Sequence, residues 1–579
     1  MTNSLIVGID VGGTYTDAVL LERTGEENAR VLSLSKKATS DADPGGAIIS
    51  AFDALFDGTR RCETSMIERV VVSTTLCTNA VLSGLLEPVA LLIMPGPGLS
   101  IADFKLMAGI DGRVFDLAEL RGYVDHRGRE VEPLDPAEVD RLLREFRAAG
   151  FDNLAVAGKF SVRNPAPEKR VARMARELGE FEHITMGHLL SGVLSFPRRA
   201  ATACLNSAVA STFGAFVSSL GRAFAERGVT CPVMILKADA GTMDAETSGS
   251  MPVESILSGP AASVAGSLAL APGWGTGVSV DVGGTTTDVS FFVEGEPLLE
   301  AKGAEIAGRK TLVRAVYSRS LALGGDTPVS ASGDAVFVGG SRRGAAAAFG
   351  GPGATLTDAL VVAGFADAGD RSRSMTAIGR EAERSGMNCA RFAHCAVEQA
   401  VRRIVEFILR CLDALRGTPV YTVREVVDPV VFQPEVIVGI GAPAAAVTPL
   451  VASALGVGYV VPGLAAVGNA VGAALAVPTV EATVRIDTDA GFVTVVEDGM
   501  REETSGRIMR EGDAEEITKR HVLRRAQWAQ ERDVEIVEME SFNVVRDFHT
   551  SGRIFNVKAQ VRPSRLRLCD SGEGAGSRV

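Results

Sequence analysis

Short apolar runs stopped by glycine or by hydroxyl-rich turns recur along this chain, and they predict buried strands. Leu5-Ile6-Val7 leads into Asp10-Val11-Gly12-Gly13-Thr14-Tyr15-Thr16-Asp17, and Ala18-Val19-Leu20-Leu21 follows. That order predicts strand, tight Gly-Gly turn and strand, with a third strand at 31–34. The arrangement returns later. Val278-Ser279-Val280 precedes Asp281-Val282-Gly283-Gly284-Thr285-Thr286-Thr287-Asp288, and Val289-Ser290-Phe291-Phe292 follows. Seven of the eight positions are identical between the copies. Two such hairpins in one chain predict two related half-domains that offer their turns to one ligand between them.

Further buried strands are expected at 70–72, 89–94, 153–158, 183–186, 233–237, 435–439 and 459–462. Helical spacing marks 45–58, where Ile48, Ile49, Phe52, Leu55 and Phe56 share a face, and 136–149, where Pro136 suits the first turn. More helices are expected after the hydroxyl-rich turn 73–79 and through Leu86, at 168–178, from Pro197 to Arg227 as one long element, and at 389–415 and 446–455. Small-residue helices open at Ser258 and cover 465–476. Residues 303–385 are rich in Gly and Ala and show no clear period. After 481 charge density rises, and a helix at 512–531 with strands at 533–541 and 552–561 reads as a small α+β module. The expected division is 1–195 and 196–484 as two α/β halves with a cleft between them. An insertion at 303–385, the module at 485–570 and a frayed tail at 571–579 complete it.

Composition narrows the class. The 579 residues are 46% hydrophobic, so large cores need no disulfide or metal staple. A net charge of −12 argues against a general nucleic-acid binder. The eight cysteines form no C-x-x-C, which predicts reduced thiols. No secretory leader is evident, and no apolar run reaches about 18 residues, so no membrane partner and a cytoplasmic location are expected.

The candidate chemistry lies in the hairpins. A polyphosphate needs backbone N–H donors at close range with no Cβ in the way. Gly12-Gly13 and Gly283-Gly284 predict such a cradle, with φ > 0 in the turn. Thr14, Thr16, Thr285 and Thr287 add hydroxyls. Asp10 and Asp281, at strand ends, are placed to hold Mg²⁺ directly or through its waters. Asp17 and Asp288 lie beyond the turns and either order the loop or serve as a base. Structure continues as strand after the glycines, and neither hairpin carries G-x-G-x-x-G or a Walker A lysine, which argues against a dinucleotide or P-loop site. Thr74, Thr75 and Asn79 at a strand end suit substrate or phosphate, or equally a helix N-cap. Asp326, after two glycines, suits a metal or ribose contact, although a turn explains it without one. Asp358 suits a helix cap. His126 and His188 are candidate proton carriers, although a lone histidine is usually structural or exposed.

The two hairpins, with the later turn Val438-Gly439-Ile440-Gly441-Ala442-Pro443, resemble the actin, heat-shock ATPase and sugar-kinase superfamily. Within it the chain resembles the hydantoinase/oxoprolinase family, specifically its ATP-binding subunit. The matching stretches run in order through TTLCTNAVLSG (74–84), VDHRG (124–128), NPAPE (164–168), VESILSGPAA (253–262), TLTDALVVAG (355–364), VIVGIGAPA (436–444) and VGNAVGAALA (467–476). The resemblance implies duplicated RNase-H-like halves that clasp ATP and Mg²⁺, with Gly439, Gly441 and Ala442 against the adenosine. It also implies ATP-dependent activation and hydrolysis of a cyclic amide such as a hydantoin, 5-oxoproline or another lactam. Assembly with a second subunit, or with further copies of the chain, is expected. Two other functions stay open: a ketone or acetone-type carboxylase subunit, and a nucleotide-binding regulator without catalysis. The chain departs from the family at Pro167, where a histidine is frequent, and in the loops 238–241, 259–263 and 323–327.

Overall fold

Leu5–Val11 (β1) runs through the middle of a seven-stranded sheet, and all seven of its residues are buried. A central strand covered on both faces needs an unbroken apolar run, which is the pattern seen in the sequence. The computed structural model describes residues 4–25, 28–39, 44–57, 64–99, 115–416, 432–496, 500–504, 509–546, 548–562 and 567–568. β1 pairs antiparallel with Tyr15–Arg23 (β2), which pairs with Asn28–Ala38 (β3). On its other side β1 is parallel to Ile67–Thr74 (β4), and β4 is parallel to Val233–Leu236 (β5).

A second sheet repeats this order. Thr276–Val282 (β6) pairs antiparallel with Thr287–Val293 (β7), and β7 with Ser318–Leu321 (β8). β6 is parallel to Val436–Ile440 (β9), which is parallel to Gly458–Val460 (β10). Register is also repeated: Asp10 faces Asp17 across the first hairpin, and Asp281 faces Asp288 across the second.

Two small-residue helices, Ser258–Leu270 (α1) and Gly468–Leu475 (α2), lie between the sheets' cores. A Cβ on Gly266 would stand 2.1 Å from Gly468 O, one on Gly472 2.1 Å from Ala262 O, and one on Gly8 2.2 Å from Ala470 O. Backbones this close admit no larger residue. Gly266→Val is therefore expected to destabilise by about 1–3 kcal/mol through overpacking. Gly214, with open space around its Cβ position in the helix Ala210–Ala225, is the control. Gly214→Ala is expected to stabilise by about 0.5–1 kcal/mol. Thermal unfolding of both variants checks the pair.

Five strands, Glu481–Asp487, Phe492–Val495, Met500–Glu503, Val534–Arg546 and His549–Val561, form the C-terminal sheet. The helix Glu511–Arg525 covers it through Ala514 and Val522. Arg567–Leu568 then pairs parallel with β3, bringing the chain back to the first sheet.

Several expected elements differ. The long helix from Pro197 is two helices, Phe196–Ala208 and Ala210–Ala225, bent by 52°. Glu87, in the loop before the strand Val89–Met94, caps the break. Its N–H donates to Ala208 O, and its carboxylate accepts from the Thr212 N–H and the Ser211 hydroxyl. The helix expected to reach 531 ends at Arg525, and the one expected after 73–79 and through Leu86 starts within that turn, spanning Leu76–Leu82. The tail at 571–579, Cys62 and Cys569 lie outside the described residues; the other six cysteines are free. Among the described residues no single helix is long and apolar enough to cross a membrane.

Candidate functional site

The two hairpin turns lie side by side. A Cβ on Gly284 would stand 3.5 Å from Thr14 Oγ1 and 2.9 Å from Asp326 Oδ2. Each turn closes with the same bond, Gly12 N–H to Tyr15 O at 3.0 Å and Gly283 N–H to Thr286 O at 2.9 Å. The expected positive φ is not found: none of Gly12, Gly13, Gly283 and Gly284 is in the left-handed region. What the glycines provide is space. Nothing lies within 4 Å of a Cβ built on Gly13, and loop 323–327 packs directly onto Gly283 and Gly284. Gly325 N–H donates to Gly283 O and Asp326 N–H to Gly284 O, at 2.9 and 2.7 Å.

The hydroxyls divide into two groups. Thr14 is half-buried and Thr285 is exposed. Thr16 and Thr287, expected to reach a ligand, are instead fully buried. Thr16 Oγ1 bonds Thr39 Oγ1 at 3.0 Å, and Thr287 donates to Leu323 O at 2.6 Å. Strand alternation turns them inward, and they hold the hairpins to their neighbours.

Four carboxylates stand at the base. Asp10 is buried, and its Oδ1 has no hydrogen-bond partner. Burial pushes its pKa up to about 7, with Asp17 and Asp281 adding to the shift. Burial also raises Asp281, and the Asn469 amide on α2 opposes this by donating to Oδ2 at 3.0 Å. Burial, aided by Asp281, pushes Asp288 up to about 6; it accepts a bond from Ser320. Burial raises Asp17 as well, opposed by the Lys36 ammonium, which donates to it at 2.7 Å and also reaches Ala466 O.

These shifts set an expected pH dependence. A raised carboxylate binds its proton more readily folded than unfolded. The Asp10 contribution to the stability of the nucleotide-free protein therefore falls as pH rises from the ordinary 3.8 through about 7, then levels. A cation bound by the ionised forms has the opposite sign, so Mg²⁺ affinity is expected to rise through that window. Thermal unfolding with and without Mg-ATP across the window measures both.

The late glycine turn contributes unequally. Gly441 has φ +89°, and its Cβ would meet Val282 O at 2.3 Å and Asp281 Oδ1 at 2.8 Å. Gly439 is buried in β9, where Thr448 Oγ1 occupies its side-chain space, so packing accounts for it without a ligand. Ala442 is exposed. Thr74 Oγ1 accepts from Leu76 N–H, while Thr75 donates to Val11 O and Asn79 to Thr75. These residues brace the end of β1; Thr75 makes no side-chain cap bond. Asp358 is the expected cap, closing a capping box with Thr355.

Asp326 lies at the hairpin tips. Arg342 donates to its Oδ2 at 2.7 Å and reaches Thr14 Oγ1 at 3.4 Å. A cavity of about 820 Å³ opens from Asp326, lined by Gly339, Gly340, Arg343, Arg373 and Arg380 among others. Sequence reasoning missed Arg342, Asn469 and Lys36. The signal for Asn469 was a lone amide in a small-residue helix; Arg342 sits in the stretch that showed no period. Among the described residues no three His, Cys, Asp or Glu side chains form a ready-made metal cluster.

The fold and these residues define a mixed α/β protein with facing Gly-Gly hairpins over buried aspartates. Residues 6–179 match the Hydantoinase/oxoprolinase N-terminal region and residues 199–482 match Hydantoinase/oxoprolinase, and the chain belongs to this family. It is 25% identical over 304 residues to caprolactamase subunit alpha of Pseudomonas jessenii, covering 49% of this chain and 43% of that protein. It is 26% identical over 337 residues to 5-oxoprolinase of Saccharomyces cerevisiae, covering 50% of this chain and 26% of that one. The chain thus spans less than half of either relative. A nucleotide-free structure of acetone carboxylase shares the fold at a TM-score of 0.69 and 17% identity, covering 97% of this chain and 88% of that one.

Proposed function

We propose that this chain binds Mg-ATP between the two hairpins and uses it to activate a cyclic amide for hydrolysis. It acts as the nucleotide-binding component beside a second subunit. The observation that carries the reading is the pair of adjacent Gly-Gly turns above Asp10 and Asp281, with Asp10 Oδ1 buried and unpartnered. Mg²⁺ is ordinarily held by one or two carboxylates with waters and phosphate oxygens, and two aspartates with one open oxygen fit that demand. We take the shared strand order as a duplication of RNase-H-like halves, with the hairpins as equivalent parts and the module after 481 as an addition.

Bound Mg-ATP supplies a phosphoryl group that turns an unreactive amide oxygen into a leaving group. The chain's part is positioning and charge. Gly12, Gly13, Gly283 and Gly284 let backbone approach the phosphates, and Thr14 and Thr285 donate from the open side. Arg342 stands ready to leave Asp326 for a phosphate oxygen. The 820 Å³ cavity beyond Asp326 is where the nucleoside extends. Asp288, raised to about 6 and free of any ion pair among the described residues, is the better proton acceptor. Asp17 is committed to Lys36.

ATP turnover with a lactam panel, with and without the neighbouring subunit, tests the reading. Lactam-stimulated ATP hydrolysis is expected. Bicarbonate-dependent ATP consumption without lactam would instead assign a carboxylase role, and tight ATP binding with no turnover would assign a regulator.

A further inference from the structure

A second cavity, of about 260 Å³, lies between the turn at 161–165 and the C-terminal sheet, and it shares no residue with the hairpins. That is the volume of about nine liquid waters, room for a small molecule and more than a bare ion needs. His188 lies against it and is 3% exposed. Its Nδ1 is 2.5 Å from Glu168 Oε2. Glu168 is fully buried and also accepts the Gly158 and His188 N–H groups. A carboxylate there fixes the proton on Nδ1 and leaves Nε2 as an acceptor. That Nε2 is buried without a partner.

The charged part of the remaining lining is mostly cationic. Arg127, Arg163, Arg485 and Arg501 face it, against Asp487 alone among the acidic residues. Arg485 bonds Asn556 at 3.2 Å and lies 3.7 Å from Asp487. Burial, and then the nearby Arg163, hold its pKa down to about 10. The Arg163 guanidinium makes no hydrogen bond or ion pair among the described residues. Asp487 and Glu540 attract Arg163, and Asp487 also lies by Arg485, yet the four arginines outnumber these two carboxylates around the open space.

We propose that this cavity binds a small molecule carrying a carboxylate or phosphate next to an O–H or N–H group, such as a hydroxy acid, an amino acid or a sugar phosphate. Arg163 and Arg485 hold the oxyanion, and His188 Nε2 accepts from the neighbouring donor. Asn164 braces the turn beside them, donating to Gly128 O and accepting from the Ala166 N–H. The site is independent of the nucleotide reading.

The test is calorimetric titration of the full chain with glycolate and with glycerol 3-phosphate, in wild type and Arg163→Gln. Saturable binding of either probe, weakened at least about tenfold by Arg163→Gln, is expected. Which probe binds identifies the oxyanion. An unchanged melting temperature and far-UV circular dichroism spectrum confirm that the variant is folded. Failure of both probes to saturate the wild type overturns the proposal, as does equal binding by Arg163→Gln.

Discussion

Asp10→Asn is expected to lower ATP turnover by well over tenfold while leaving the protein at least as stable as wild type. Asparagine keeps the shape of the side chain and removes its charge. In the nucleotide-free protein that charge is a burden, because burial has already raised the Asp10 pKa to about 7 and Asp17 and Asp281 repel it. Neutralising it relieves desolvation, so the melting temperature stays or rises. With Mg-ATP present the balance reverses, since the cation needs an anionic ligand. A tenfold loss corresponds to about 1.4 kcal/mol of transition-state stabilisation. Steady-state turnover beside thermal unfolding separates the two effects. Stability gained as activity is lost marks a side chain kept for chemistry. Unchanged turnover would remove Asp10 from the site.

Gly441→Ala is expected to damage both fold and site. The residue needs φ +89°, a region that costs an L-residue about 1–2 kcal/mol. Its Cβ would also fall 2.3 Å from Val282 O and 2.8 Å from Asp281 Oδ1, so β6 must shift and carry Asp281 with it. The combined cost is about 3 kcal/mol or more. Gly456→Ala is the control: φ is +70° there, but nothing stands within 4 Å. Only the backbone cost, about 1 kcal/mol, is expected, with ATP affinity unchanged. Similar losses in both variants would mean that the Gly441–Asp281 contact does not matter.

How much of this was legible follows from where the signals sit. β1 and β9 announced themselves through apolar runs that suit strands buried on both faces, and β6, with Thr276, Ser279 and Asp281, through the repeat it belongs to. The hairpins were legible because the sequence repeats. The break at Val209 was not, since the group that caps the second helix is Glu87, more than a hundred residues earlier. Ser318–Leu321, Val329–Ser332 and Ala335–Val338 are four-residue strands, too short to show a period. Arg342 follows them, so the bridge from Thr14 to Asp326 was hidden. Thr16 and Thr287 belonged to the right motif, but strand alternation turned them inward. The backbone conformation of Gly12 and Gly283 was misjudged because closeness of approach and positive φ both select glycine, and residue type cannot separate them.

Both hairpins are proposed to hold one Mg-nucleotide. A structure with Mg²⁺ and a non-hydrolysable ATP analogue tests this most directly. Phosphates are expected between Gly12–Thr14 and Gly283–Thr285, with the cation on Asp10 and Asp281 and the nucleoside reaching past Asp326. A nucleotide bound elsewhere, with both hairpins empty, would contradict it.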